Sequence, residues 1–286
     1  MSTTVDRAVR WGGAELTRAG VPSPAVDAEH LLAHAARRPL GELRRERLLG
    51  RTLDAATLTA YRALVERRAA RVPLQHLTGT AHFAGLDLAV GPGVFVPRPE
   101  TEVLLTLALA DLAGVDGPVV LDLCTGSGAL ALALATAVPT ARVGAVELSP
   151  EAHGYAARNL AAHPAGARVE LRLGPAQEAF AEHLGSVDVV TCNPPYIPPD
   201  AEPVDVEVRE HDPELALYGG GQDGLAVPAA IAAWALRLLR PGGVLLMEHA
   251  DSQGASLPAV LREVGFREVG DHPDLGGRPR VSRAVR

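Results

Sequence analysis

The sequence predicts an α/β chain: an open, mostly parallel sheet with helices on both faces, preceded by a small helical domain and a connecting β-hairpin. Three observations predict it. From Val119 onward, short β-branched runs alternate with Ala- and Leu-rich helical stretches, the pattern of right-handed βαβ crossovers. A Gly-rich turn, Thr125-Gly126-Ser127-Gly128, follows the first of these runs. Residues 1–75, in contrast, keep a helical period throughout.

In the helical segment, Val5, Val9 and Leu16, then Ala28, Leu31, Leu32 and Ala35, then Leu43 and Leu48 recur at helical spacing between Pro and Gly breaks. Ser23-Pro24 and Asp54 are the expected caps. Over 54–71, Leu58, Tyr61, Leu64 and Val65 form an apolar stripe, and Arg62, Arg67, Arg68 and Arg71 read as a solvated face. Residues 76–96 change period: His82-Phe83-Ala84 and Leu86 to Val90 suit a hairpin turning at Gly85. The third region, 97–286, opens with Arg98, Glu100 and Glu102 at a helix start. Its strands are expected at 119–122, 141–147, 169–173, 187–192 and 243–248, with helices near 127–137, 151–162, 176–184 and 226–239. Residues 265–269 and 280–285 read as a closing hairpin on the sheet edge.

Composition narrows the function classes. The chain has 286 residues, 47% apolar, which excludes disorder, collagen and coiled coil. Its basic residues other than His are all Arg, and the formal charge of -7 gives no whole-molecule attraction to nucleic acid or an anionic membrane. No stretch suits a membrane span, and the first residues carry Asp6, Arg7 and Arg10 without an apolar core, so a cytoplasmic protein is expected. Cys124 and Cys192 fall at predicted strand ends and read as free thiols. His211 and Asp212 lack a third metal ligand at suitable spacing, so no metal is expected, and the pair reads as a solvated loop.

The chemistry concentrates at strand ends. Asn193-Pro194-Pro195-Tyr196 ends the run Val187 to Cys192, since two prolines forbid both a ladder donor and a helix. An open α/β sheet binds ligands at that edge, and the Asn193 carboxamide and Pro194 carbonyl are two acceptors suited to an NH₂ on a planar system. At the first strand end stand Asp122, Cys124, Thr125, Gly126, Ser127 and Gly128, without the Gly-Lys-Ser/Thr of a phosphate loop. Glu147 ends the second strand about 20 residues later, placed to accept from ribose hydroxyls or, alternatively, to charge the start of the next helix; spacing favours the ribose. Asp122 either holds a cofactor amino group or satisfies the turn's backbone. Acidic groups around a nucleoside site suit S-adenosylmethionine, which brings a sulfonium and an ammonium. On this reading Asn193, Pro194 and Tyr196 are catalytic, and Asn193 to Tyr196 bind substrate. Tyr196 packs on the planar amide or faces the sulfonium, and no residue stands out as a general base.

These motifs, with Pro73 to Gly79, Val96 to Glu102, Pro213 to Leu217, Gly220 to Leu225 and Asp274 to Arg278, resemble the HemK/PrmC family of glutamine N5-methyltransferases. Arg98-Pro99-Glu100-Thr101-Glu102 is the most family-specific stretch. The resemblance implies a Rossmann-like methyltransferase sheet, S-adenosylmethionine as cofactor, and a helical N-terminal domain that recognises class 1 peptide chain release factors. It implies a release-factor glutamine as target, with cofactor contacts at Cys124 to Gly128, Glu147 and Asn193. Three departures are visible: Cys124 where the family often has Gly, Glu147 where it often has Asp, and Gly174-Pro175-Ala176 in place of a polar or aromatic adenine contact. A ribosomal-protein glutamine methyltransferase keeps the same chemistry, and a nucleic-acid adenine or guanine amino-methyltransferase uses the same four-residue grip. The acidic balance and the lack of a separate basic domain argue against the latter, and no stable nucleic-acid partner is expected.

Overall fold

The computed structural model describes residues 3–286. They form two compact units: one runs to Thr80 and takes in Val204–His211, the other comprises Ala81–Pro203 and Asp212–Arg286.

The first unit contains α1 (Val5–Arg18), α2 (Pro24–Ala36), α3 (Leu40–Leu48), α4 (Ala55–Ala69) and α5 (Leu74–Thr78). Asp54 caps α4 by accepting from the Thr57 N–H at 2.7 Å, whereas the Ser23 side chain makes no capping bond and Pro24 alone starts α2. Val5, Leu16, Leu31, Leu32, Leu43, Tyr61 and Val65 share one core. Arg68 departs from the expected solvated face. It is only 4% exposed, because its Nε donates to Asp27 at 2.7 Å and its Nη2 pairs with Glu207 at 2.7 Å. A guanidinium so buried is tolerated only with its charge matched.

In the second unit β1 (Thr80–Phe83) and β2 (Leu86–Ala89) form the expected hairpin. Ala84 and Gly85 both have positive φ, 48° and 81°, the geometry that matches strand twist in a tight turn. A short 3-10 turn, Pro99–Thr101, then leads into α6 (Glu102–Asp111), where the Glu102 carboxylate accepts from the Ala84 N–H at 3.0 Å. The sheet follows: β3 (Val119–Leu123), α7 (Ala129–Ala137), β4 (Arg142–Glu147), α8 (Pro150–Ala162), β5 (Val169–Leu173) and β6 (Val187–Cys192). After α9 (Val206–His211), which belongs to the first unit, come α10 (Ala226–Leu238), β7 (Leu239–Glu248), α11 (Ser256–Val264), β8 (Arg267–Pro273) and β9 (Pro279–Val285).

The seven strands lie in the order β5-β4-β3-β6-β7-β9-β8. β3 to β7 are parallel, and β9 pairs antiparallel with both β7 and β8, closing the edge as expected. Side chains alternate between two cores. Val120, Val143, Ala145, Val189 and Leu246 pack with α6 and α7 residues such as Leu104 and Leu132, and Leu121, Leu123, Val190 and Met247 pack with α10 and α11 residues such as Ile231 and Leu257.

The helix expected over 176–184 does not form. Phe180 sits at φ 60°, which a helix cannot pass through, and only Ala181–His183 make a 3-10 turn. The turn drops the Phe180 ring onto Gly144, where a Cβ would lie 2.7 Å from it. A helix not expected from the sequence, α11, forms over Ser256–Val264; its Pro258 lies in the first turn, where a missing N–H costs nothing.

Candidate active site

The strand order fixes where a ligand can sit. β4 and β5 step to one side of β3, and β6 returns to the other, so β3 and β6 flank the switch point of the sheet. Leu123 and Cys192 are register partners, which brings Cys124 and Asn193, each one residue further, to the same edge. Glu147 ends the neighbouring β4.

The Gly loop and Glu147 are joined directly. The Glu147 carboxylate accepts from the Gly126 N–H and from the Ser149 N–H, both at 2.8 Å, so it ties the loop to the start of α8. Each oxygen keeps a second lone pair. Both alternatives read from the sequence thus bear on one group: it braces the N-terminal end of α8 and remains an acceptor at the strand end. Gly128 packs against α8, where an added Cβ would lie 3.3 Å from Ala156, and its φ of 79° is one that side chains avoid. Cys124 occupies the same left-handed region at φ 64°, which explains why a glycine suits this position. Cys124 and Cys192 are free thiols, with Cys192 buried and its thiol pushed up by desolvation.

Asp122 is buried inside this edge. Burial raises its carboxyl from 3.8 to about 6, partly offset by the Thr125 hydroxyl donating at 2.6 Å and the Thr191 hydroxyl at 2.9 Å. The donor set of the loop is therefore acidic or neutral, which fits a ligand carrying positive charge. Two exposed apolar side chains stand at the neighbouring strand ends: Leu148, at 50%, follows Glu147, and Leu173, at 53%, is the register partner of Glu147 and precedes Gly174. They are the apolar surface beside the Gly174-Pro175-Ala176 turn, where the sequence offered no polar or aromatic contact.

On the β6 side the half-buried Asn193 Nδ2 donates to the Thr101 hydroxyl at 3.4 Å, which leaves the carboxamide oxygen as an acceptor. The loop behind it is held by backbone. Tyr196 N–H and Ile197 N–H both donate to the Leu217 carbonyl, at 3.1 and 2.8 Å, and Gly219 N–H donates to Ile197 at 3.0 Å. A Cβ on Gly219 would lie 2.6 Å from the Pro195 carbonyl oxygen, and one on Gly224 would lie 2.2 Å from that of Tyr196. Only glycine permits this approach.

Two residues of this neighbourhood, Gln253 and Glu248, were not singled out from the sequence, and a third, Asp212, differs from its expected place in a solvated loop. Gln253 Nε2 donates to the Tyr196 carbonyl at 2.9 Å and to the Asp223 carbonyl at 2.8 Å. Glu248 ends β7 beside Asn193, since Cys192 pairs with Met247. Burial raises its carboxyl from 4.5 to about 7, with the Thr101 and Tyr196 hydroxyls and the Arg280 charge opposing that shift. Asp212 is buried rather than solvated, because the Arg98 Nη2 donates to it at 2.9 Å. No cluster of three or more metal-ligating side chains occurs among the described residues. Glu100 lies close enough to Glu248 to raise it further, and Glu102 serves the hairpin turn, so the carboxylates of the Arg98 to Glu102 stretch have separate duties.

A parallel sheet with a Gly loop and an acidic second strand end frames a nucleoside-cofactor site, and the methyltransferase domain family profile, matching residues 120–209, makes the class a methyltransferase. The PrmC N-terminal domain profile matches residues 7–79. The release factor glutamine methyltransferase of Streptomyces coelicolor is 50% identical over 274 residues, covering 94% of this chain and 93% of its own. A 4-amino-L-phenylalanine/4-methylamino-L-phenylalanine methyltransferase of Streptomyces pristinaespiralis is 41% identical, covering 92% of this chain and 88% of its own. Among solved structures, a release factor-specific protein-(glutamine-N5) methyltransferase from Alicyclobacillus acidocaldarius is 29% identical with a TM-score of 0.41, covering 69% of this chain and 98% of its own. The chain belongs to the release factor glutamine methyltransferase family. Its methyl donor is S-adenosylmethionine.

Proposed function

We propose that this protein methylates the side-chain amide nitrogen of a glutamine in class 1 peptide chain release factors. The observation that carries the reading is the Asn193 carboxamide at the switch point, with Nδ2 committed to Thr101 and its oxygen left to accept. An amide nitrogen is a poor nucleophile because its lone pair is delocalised. The Asn193 oxygen and the Pro194 carbonyl accept its two hydrogens, aim the nitrogen and favour the positive charge that develops on it. When bound, S-adenosylmethionine would supply an electrophilic methyl with its sulfonium as leaving group, and the substrate amide would give up one proton after transfer. Glu147, already accepting from the Gly126 and Ser149 N–H groups, would hold the cofactor's ribose hydroxyls with its remaining lone pairs, and the Gly loop would let the cofactor approach the backbone. Leu148 and Leu173 offer adenine an apolar contact. Asn193→Ala is expected to abolish turnover while cofactor affinity, measured by calorimetry, stays within about threefold.

The arylamine-acting relative supports a second reading, because an aromatic NH₂ is also an amine on a planar system. Transfer of labelled methyl to an intact release factor and to free 4-aminophenylalanine separates the two. The release factor alone is expected to accept label; label on the amino acid alone would replace the first reading by the second. A release-factor substrate fits an enzyme in the compartment of translation, and the formal charge of -7 offers no whole-molecule attraction to nucleic acid.

A further inference from the structure

We propose that Glu248 is a positioning residue: acting through the Thr101 hydroxyl, it holds the Asn193 carboxamide with its oxygen facing the substrate amide. Asn193, Thr101 and Glu248 follow one another from β6 through the 3-10 turn before α6 to the end of β7. The Thr101 oxygen already accepts from Asn193 Nδ2, so its own proton is free to point elsewhere, and the Glu248 carboxyl is the acceptor beside it. A carboxylate can only accept. While Glu248 is ionised the Thr101 O–H is drawn to it, the Thr101 lone pairs turn to Asn193 Nδ2, and the carboxamide has one preferred orientation. A protonated Glu248 can instead donate to Thr101, which then releases its own O–H to compete for the Asn193 oxygen. The orientation that methyl transfer needs is lost.

The cost of this group argues that it is not there for packing. Glu248 is 3% exposed, and its Oε2 has no hydrogen-bond partner. An apolar side chain would be cheaper at this point in a buried strand. The groups facing it are Thr101 and Glu100 from the 3-10 turn, Tyr196 from the loop after β6 and Arg280 from β9, the last also paired with Asp274 at 3.5 Å. Arg280 and the two hydroxyls favour the ionised form, while burial and Glu100 oppose it, which leaves the carboxyl at about 7. The switch between the two arrangements therefore falls near neutral pH.

The activity arm of the test rests on the methyl-transfer reading, so the deciding arm does not use activity. The chain contains two asparagines, Asn159 and Asn193, and ¹⁵N-asparagine labelling gives two side-chain NH₂ groups. Asn159 is an internal reference, since its Nδ2 donates to the Ala89 and Ser127 carbonyls. The Asn193 NH₂ resonances are expected to titrate with a midpoint near 7 in the wild type and to be flat in Glu248→Gln. A flat wild-type response, or the same titration in Glu248→Gln, overturns the proposal. Should Glu248→Gln not fold, Thr101→Val cuts the relay without touching the carboxyl and is expected to flatten the same titration; a titration that persists overturns the proposal. In turnover assays kcat should fall as pH drops through about 7, with this limb absent in Glu248→Gln. Thr101→Val should lose about tenfold in kcat with unchanged cofactor affinity, and Thr101→Ser should restore most of it. An acid limb unchanged in Glu248→Gln, or a Thr101→Val enzyme as fast as the wild type, counts against the relay. Absence of any glutamine methylation by the wild type defeats the functional reading alone, because the NMR titration still decides the relay.

Discussion

Asp122 shows how the site trades stability for chemistry. Its folded-state carboxyl lies near 6 against 3.8 when free, so between those values the native state holds a proton that the unfolded chain has lost. Stability is thus greatest below about pH 4 on this account and declines as pH rises through 6, by at most about 3 kcal/mol. Asp122→Asn removes that term, and urea denaturation at pH 5 and pH 8 should show a smaller pH difference than in the wild type. Cys124 is a second such point. At φ 64° it carries backbone strain of roughly 1 kcal/mol, which Cys124→Gly relieves and Cys124→Val worsens. Chemical denaturation should rank the glycine variant above the valine variant. The sequence made Asn193, Glu147 and the Gly loop legible, because prolines, glycines and strand ends are local signals. Glu248 and Gln253 were not legible: nothing in their neighbours along the chain tells that Thr101, Tyr196 and Asp223 surround them.

The best-read strand is Val187–Cys192, since a buried parallel strand is a β-branched run bounded by turns, whereas β7 begins at Leu239 rather than 243 and β8 runs to Pro273 rather than ending at 269. Helices fared worse where tertiary packing overrode pattern. The stretch 176–184 has helical composition, yet Phe180 gains more by filling the space above Gly144. Arg68 looked like surface because its carboxylates, Asp27 and Glu207, come from distant points of the chain. Arg68→Ala should destabilise the helical unit by roughly 3 kcal/mol, read as faster hydrogen exchange in α2 and α4. At the loop behind Asn193, Gln253→Ala strips the Tyr196 and Asp223 carbonyls of a donor and should cost about 1–3 kcal/mol, with kcat falling more than cofactor affinity.

Across the whole chain, the similarity to release factor glutamine methyltransferases covers both compact units rather than the sheet alone. No helix among the described residues is long and apolar enough to cross a membrane. The cofactor couples to the stability of the unit that holds it: at a hundredfold excess over its Kd, S-adenosylmethionine should add about 2.7 kcal/mol, and Asn193→Ala should keep most of that thermal shift. Tandem mass spectrometry of a release factor after incubation with the enzyme and S-adenosylmethionine tests the central claim most directly. One methyl is expected on the side-chain nitrogen of a single glutamine, absent with Asn193→Ala. A methyl on another atom, or equal modification by the variant, would contradict it.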